Sequence, residues 1–335
     1  MRKNNQHGFS LIEMMVGVAL GLLGMLAVSQ VLLTFSANRR ANTSTMETQN
    51  NGTMAPYLLE RGIAQAGYGL MNIQDCSTIN WYFNTEQTPL TTLPIRITDG
   101  GAASDSIVVQ YASSVDGVPI TLISQGQTVY ADPLIVSSIV GFVANNLAVA
   151  DVGGVCTLYQ VTGVNSLTGA LAHAANTYNP AVAPGTGWGL VSVSNNLVNM
   201  GNFVSRSYSI NSNNLISGVF PAYTTSTLVD GIAFMKAEYG RDTSGDGAVD
   251  VWSPATWVPT NATASQIVAI RIGIVARTTE QVAVSNPANF TLLPQITDAG
   301  GTVIGAQFNY TLPTATYRYK PYYTIIPMRN VIWSK

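Results

Sequence analysis

One long apolar run sets the organisation of this chain. Residues 14–33 are almost without polar side chains, Glu13 stands at the start of the run, and Arg39-Arg40 follow it. About twenty such residues span the hydrocarbon of a bilayer. The pattern turns polar over residues 36–53 with few breakers until Gly52, which predicts the exposed continuation of one long helix. Pro56 removes a backbone donor and disfavours helical geometry at Ala55. The pattern therefore predicts either a kink there or a stop and restart with Pro56 in a first turn. Tyr57-Leu58-Leu59 and Ile63 then offer an apolar face to pack beneath a head, and Gly67, Tyr68 and Gly69 mark the exit.

Beyond Gly69 short β runs alternate with turn signals. Residues 106–112 (SIVVQYA) and 157–164 (TLYQVTGV) read as strands, and 322–331 as a last strand. The clearest run is 266–277, where Val268, Ile270, Ile272 and Ile274 alternate with Ala269, Arg271, Gly273 and Val275. That period of two predicts a single core-facing side. The Ala/Gly/Pro/Asn-rich stretch 169–189 has no period and reads as a long loop. The expected fold is α+β: an apolar-then-polar helix packed on a large, β-rich antiparallel head. The expected divisions are 1–8, 9–35 for the membrane half of the helix, 36–68 for its continuation, and 69–335 for the head.

Composition narrows the class. Of 335 residues, 47% are hydrophobic and only 10% charged, against roughly 25% charged in ordinary soluble domains. Ser, Thr, Asn and Gly fill the deficit, as suits an exported, β-rich surface protein. A net charge of −2 supplies no general field for nucleic acid. Catalytic signals are absent. His7 precedes the apolar run, so His173, in an Ala-rich stretch, is the one histidine after it, and a zinc site needs more ligands. There is no Gly-x-Ser-x-Gly elbow. The string Gly185-Thr-Gly187-Trp-Gly189 lacks the strand-to-helix setting of a nucleotide loop. The expectation is a structural protein, not an enzyme.

The amino terminus admits three readings. A secretory signal would use Arg2 and Lys3 as its basic start and Ala27-Val28-Ser29 as its cleavage site, but its apolar core is usually 7–15 residues, shorter than the run here. A plain anchor fits the length but leaves Glu13 unexplained, at a cost toward about 3 kcal/mol near the bilayer centre and less near an interface. The third reading uses the carboxylate. Gly8-Phe9-Ser10-Leu11-Ile12-Glu13 resembles the type IV prepilin signature. The resemblance implies cleavage between Gly8 and Phe9 by a prepilin peptidase on the cytoplasmic face, and N-methylation of Phe9. Glu13 would then pair with the terminal amine of a filament neighbour, and a buried carboxylate and ammonium are tolerable only together. Gly17, Gly21 and Gly24 include a small-xxx-small pair that permits close helix approach, though glycine is also common in membrane helices.

Further segments are similar to PilW-type minor pilins: Ala66-Gly67-Tyr68 followed by Cys76, Glu238-Tyr239-Gly240-Arg241-Asp242 before an Asp/Gly loop, the strand 268–277 ending in Arg277, and Pro327-Met328-Arg329-Asn330. Pro56 and the stretch 169–189 depart from that pattern. The resemblance implies a minor pilin that primes pilus assembly and sits at the pilus tip. Its partners would be prepilin peptidase, other minor pilins, the major pilin, the inner-membrane assembly platform and a candidate tip adhesin. The head would lie in the periplasm, held by one inner-membrane span, and then on the pilus surface. Two alternatives stand beside it: a minor pseudopilin of a type II secretion system, and a secreted calcium-dependent adhesin whose leader is an ordinary signal.

Two head features complete the reading. In an exported chain Cys76 and Cys156 form a disulfide by default, closing a loop that the chain-entropy model values at about 4 to 5 kcal/mol. Asp242, Ser244, Asp246, Ala248 (through its carbonyl) and Asp250 follow the first places of an EF-hand-type loop, with Gly247 at its turn. Ser253 stands where the bidentate Glu would be, so the loop is a candidate for modest calcium binding, and an Asp/Gly hairpin turn is the plain alternative. No cofactor is required beyond that candidate Ca²⁺.

Overall fold

The computed structural model of the chain describes residues 10–70, 76, 79–83, 86–90, 93–112, 120–152, 154–183, 188, 190–220, 224–281, 289–313 and 316–332. One helix, α1, runs unbroken over Leu11–Ile63 with Pro56 inside it. Neither a stop nor a restart occurs: the polar stretch carries the helix through the proline, which forfeits a single intrahelical bond. The helix ends at Ile63, and residues 64–70 form turns in which Gly67 and Gly69 take positive φ of 79° and 70°.

Only the second half of α1 touches the head. Its buried residues are Ser44, Thr48, Gly52, Ala55, Leu59 and Ile63, a stripe at the three- and four-residue spacing of one helix face. The stripe is small at its start and aliphatic at its end, so the helix closes onto the head progressively. Gly52 admits the ring of Tyr322, which a Cβ would overlap, and Gly62 likewise admits the hydroxyl of Tyr208. Along the apolar run no side chain is buried within the chain, and this is a helix long and apolar enough to cross a membrane.

Among the described residues the strands build a four-stranded, a five-stranded and a nine-stranded sheet, with two small ribbons. The four-stranded sheet places Ile232–Arg241 and Ile267–Arg277 at its centre, flanked by Val251–Pro254 and Tyr319–Pro327. The five-stranded sheet orders Thr224–Asp230, Asn214–Val219, Phe203–Asn211, Ser106–Ala112 and Ile95–Thr98, all antiparallel. The end of α1 and both sheets share one core: Leu59 and Ile63 cluster with Ile107, Val109 and Tyr208 of the five-stranded sheet and with Ile270, Ile272 and Ile326 of the four-stranded one. Leu70 and Cys76, in the neck that follows α1, share a core with Ile79, Leu147 and Leu158 of the nine-stranded sheet. Its pairs are antiparallel except that of Ile79–Phe83 with Val155–Gln160.

Ser106–Ala112 has the expected bounds. The other runs shift for physical reasons. The expected 157–164 strand divides into Val155–Gln160 and Gly163–Asn165. The expected last strand lies earlier, at Tyr319–Pro327, and the chain then turns into the short helix Arg329–Ile332. Strand Ile267–Arg277 is buried on both faces from Ile267 to Ala276, so the single core face expected from its alternation is wrong. The second face is covered by a smaller core of Phe234, Val275, Leu292 and Tyr319, in which small residues such as Gly273 let the overlying chain approach: a Cβ there would overlap Leu292. The expected loop 169–189 contains a strand, Ala170–Ala172, while residues 184–187 and 189 lie outside the described residues.

Candidate assembly and processing site

Gly8 and Phe9 lie outside the described residues. The structure begins at Ser10, the N-cap of α1, with extended φ, ψ of −73° and 145° and no side-chain cap hydrogen bond. Glu13 follows in the first turn. A carboxylate is favoured there, because the first amides of a helix are unpaired and the macrodipole is positive. Glu13 is exposed, and no cation lies within ion-pair distance of it among the described residues. The helix surface around it is uncovered: Leu11, Ile12, Met14 and Met15 are 63 to 77% exposed. A Cβ built at Gly17, Gly21 or Gly24 meets nothing within 4 Å, so packing inside one chain does not require glycine at any of the three.

The head is tied down by groups of quite different visibility. Cys76 and Cys156 are joined in a disulfide with Cα atoms 5.6 Å apart, across 80 positions of sequence. Both are buried, and the bond fastens the neck below α1 to the nine-stranded sheet, where Ile79 pairs with Cys156.

The acidic loop places its five predicted ligand residues together in one turn, yet its carboxylates are turned on the loop's own amides. Asp242 accepts from the amides of Gly245 (2.5 Å) and Gly247 (2.9 Å). Asp250 accepts from the amides of Thr243 (2.7 Å) and Ser244 (2.8 Å) and from the Thr243 hydroxyl. These bonds hold the Asp250 carboxyl below its ordinary range. Asp246 accepts from the amide of Ala248 at 2.8 Å. Among the described residues no three His, Cys, Asp or Glu side chains are grouped to hold a metal ion.

Two buried ion networks escaped the sequence reading. Lys236 contacts Asp105 at 2.5 Å and Asp99 at 2.9 Å, joining the four-stranded sheet to the turn before the strand Ser106–Ala112. Burial alone would lower the lysine's pKa, but the two carboxylate hydrogen bonds outweigh it and raise it. Arg271, fully buried, binds the Glu238 carboxylate beside it at 2.5 Å and the carbonyls of Pro294 (3.0 Å) and Ala306 (2.7 Å). Gly305 leaves space for that guanidinium, which a Cβ would crowd. The one available signal was Arg271 itself, a charge within an otherwise apolar strand, opposite Glu238 in register.

Comparison with known proteins assigns these parts. A model described as the prokaryotic N-terminal methylation motif matches residues 3–29, and one described as type IV pilus-assembly protein W matches residues 197–330. Together the two matches support a type IV prepilin of the PilW type. The second match contains the Glu238–Asp242 segment, the strand Ile267–Arg277 and the Pro327–Asn330 close, while the neck, Cys76 and most of the nine-stranded sheet precede it. Among solved structures, a type IV-like pilin from Thermus thermophilus aligns with 84% of this chain and 97% of its own at 10% identity and a TM-score of 0.38. No curated protein sequence matches the prepilin significantly.

Proposed function

We propose that this prepilin is cut between Gly8 and Phe9, methylated at Phe9, and acts as a minor pilin that joins other minor pilins to prime pilus assembly and occupies the pilus tip. The observation that carries the reading is the state of α1: an apolar surface bare over two dozen residues, and, among the described residues, three glycines with no packing reason and Glu13 without a cation. A carboxylate on so apolar a helix is stable in a bundle only when a neighbour supplies the positive charge, and the free amine of a processed chain is one. On this reading the chain's role is structural, its head faces the periplasm before assembly, and its partners are the peptidase, the other pilins and the assembly platform.

Two variants test it. Gly8 replaced by a bulky residue should leave an uncut, membrane-held precursor. Glu13→Ala should be cleaved normally yet enter pili poorly, and unchanged pilus number and composition would refute the pairing role. Gene neighbours distinguish a secretion pseudopilin, whose leader logic is the same. Calcium is proposed for the acidic loop as a weak ligand only, because it must compete with the amides that now hold Asp242 and Asp250.

A further inference from the structure

Where α1 ends against the five-stranded sheet, two arginines share one groove and no carboxylate joins them. The groove has a volume of about 370 Å³ and is lined by Arg61 and Gln65 from the end of α1 and by Tyr111, Arg206, Tyr208 and Leu228 from the sheet. Arg206 is the anomaly. Alternation along the strand Phe203–Asn211 puts it on the same face as Tyr208, and that is the face whose Ile107 and Val109 pack beneath α1. Register places it opposite Val109 on one side and Val219 on the other. Its Nε is buried without a hydrogen-bond partner. The ion pairs among the described residues involve Lys236 and Arg271 and neither Arg61 nor Arg206. Arg61 alone is explained by its place in the last turn of a helix, where the dipole favours a cation. Nothing comparable explains Arg206: the half-buried guanidinium has the Tyr208 hydroxyl beside it, but its buried Nε has no acceptor, and a buried donor without one is unfavourable.

The remaining lining fits an anion. Gln65 offers an amide and the two tyrosines offer hydroxyls, and no acid lines the groove. The hydroxyl of Tyr208 is held against Gly62, so the floor of the groove is fixed to the helix. We propose that this groove receives the carboxylate of an Asp or Glu side chain from another protein chain, with Arg206 as the forked donor and Arg61 as the second charge. A phosphate shares that chemistry, but membrane headgroups are out of reach. Arg61 lies 28 positions beyond Leu33, about 42 Å along a helix rising 1.5 Å per residue.

The test titrates the mature chain in detergent micelles with N-acetylglutamate amide while following the arginine Nε–Hε signals by NMR. Saturable shifts at Arg206 and Arg61 are expected, with affinity roughly tenfold weaker in Arg206→Gln and largely restored in Arg206→Lys. Arg61→Gln, on the exposed helix surface, should weaken binding without touching the fold. Absence of saturable shifts, shifts reproduced by sodium chloride at equal ionic strength, or unchanged affinity in Arg206→Gln overturns the site. Inorganic phosphate binding where N-acetylglutamate amide does not would overturn the carboxylate assignment. In cells, a photoreactive residue at position 65 should cross-link a neighbouring pilin, and Arg61→Gln with Arg206→Gln should abolish that product; a product indifferent to both arginines sinks the partner. The titration needs no pilus, so it fails or succeeds separately from the assembly role.

Discussion

Replacing Arg271 by Met isolates what the buried ion pair contributes to the head. The change removes the guanidinium from Glu238, whose side chain is 13% exposed, and leaves the carbonyls of Pro294 and Ala306 without their donor. Breaking one partner of a buried pair costs about 3 to 5 kcal/mol, because the other charge stays desolvated and alone. The two orphaned carbonyls place the expected loss toward the upper part of that range. The double variant Glu238→Leu with Arg271→Met should recover part of it, since apolar replacement of a whole buried pair is often neutral. Acidity gives an internal check. Burial already raises the Glu238 carboxyl above its ordinary range, with Arg271 opposing that rise. Without Arg271 the carboxyl rises further, so the unfolded chain releases that proton before the folded one does, and the penalty shrinks as pH falls toward the raised folded value. Urea unfolding of the mature chain in micelles at pH 7 and pH 5 measures all of this. A loss below about 1 kcal/mol, a double variant worse than the single one, or a penalty that grows on acidification would refute the reasoning.

Other perturbations follow from the same structure. Joint replacement of Cys76 and Cys156 by Ala opens a loop of 80 positions, which the chain-entropy model values at about 4.5 kcal/mol; an unchanged urea midpoint under oxidising conditions would count against a tie between neck and sheet. His173 is buried, its Nε2 sits 2.8 Å from the Asp132 carbonyl, and its Nδ1 has no partner beside Tyr130 and Tyr159. Burial lowers its pKa, with Asp132 opposing, so stability is greatest above the ordinary histidine value of about 6.5 and falls as pH drops below it; His173→Gln should flatten the melting-temperature profile there, and an identical profile would refute the assignment. For the acidic loop, a dissociation constant of about 1 mM, as in extracellular calcium modules, gives only about 0.6 kcal/mol of stabilisation at roughly 2 mM Ca²⁺; calorimetry against Asp246→Ala should show weak heat that the variant loses.

Legibility followed the range of the interactions. The helix and the strand Ser106–Ala112 could be read because their patterns are local, with apolar length for one and alternation for the other. Pro56 left a kink or a break open, and the break does not occur, since a helix packed on one face tolerates the loss of one bond. The two-sided burial of Ile267–Arg277 could not be read, because it depends on Leu292 crossing over Gly273 from elsewhere in the chain. The ion networks were invisible for the same reason: Lys236 and Asp105 are 131 positions apart. The methylation motif that contains Glu13 was legible as a local string, whereas a cation partner for Glu13 is not found among the described residues. Arg206 was missed because only the sheet shows a cation facing a core without an acid.

Mass spectrometry of the mature amino terminus tests the central claim most directly. The account predicts a mature chain beginning at N-methylated Phe9. A chain beginning at Gln30, or an uncut one beginning at Met1, would contradict it.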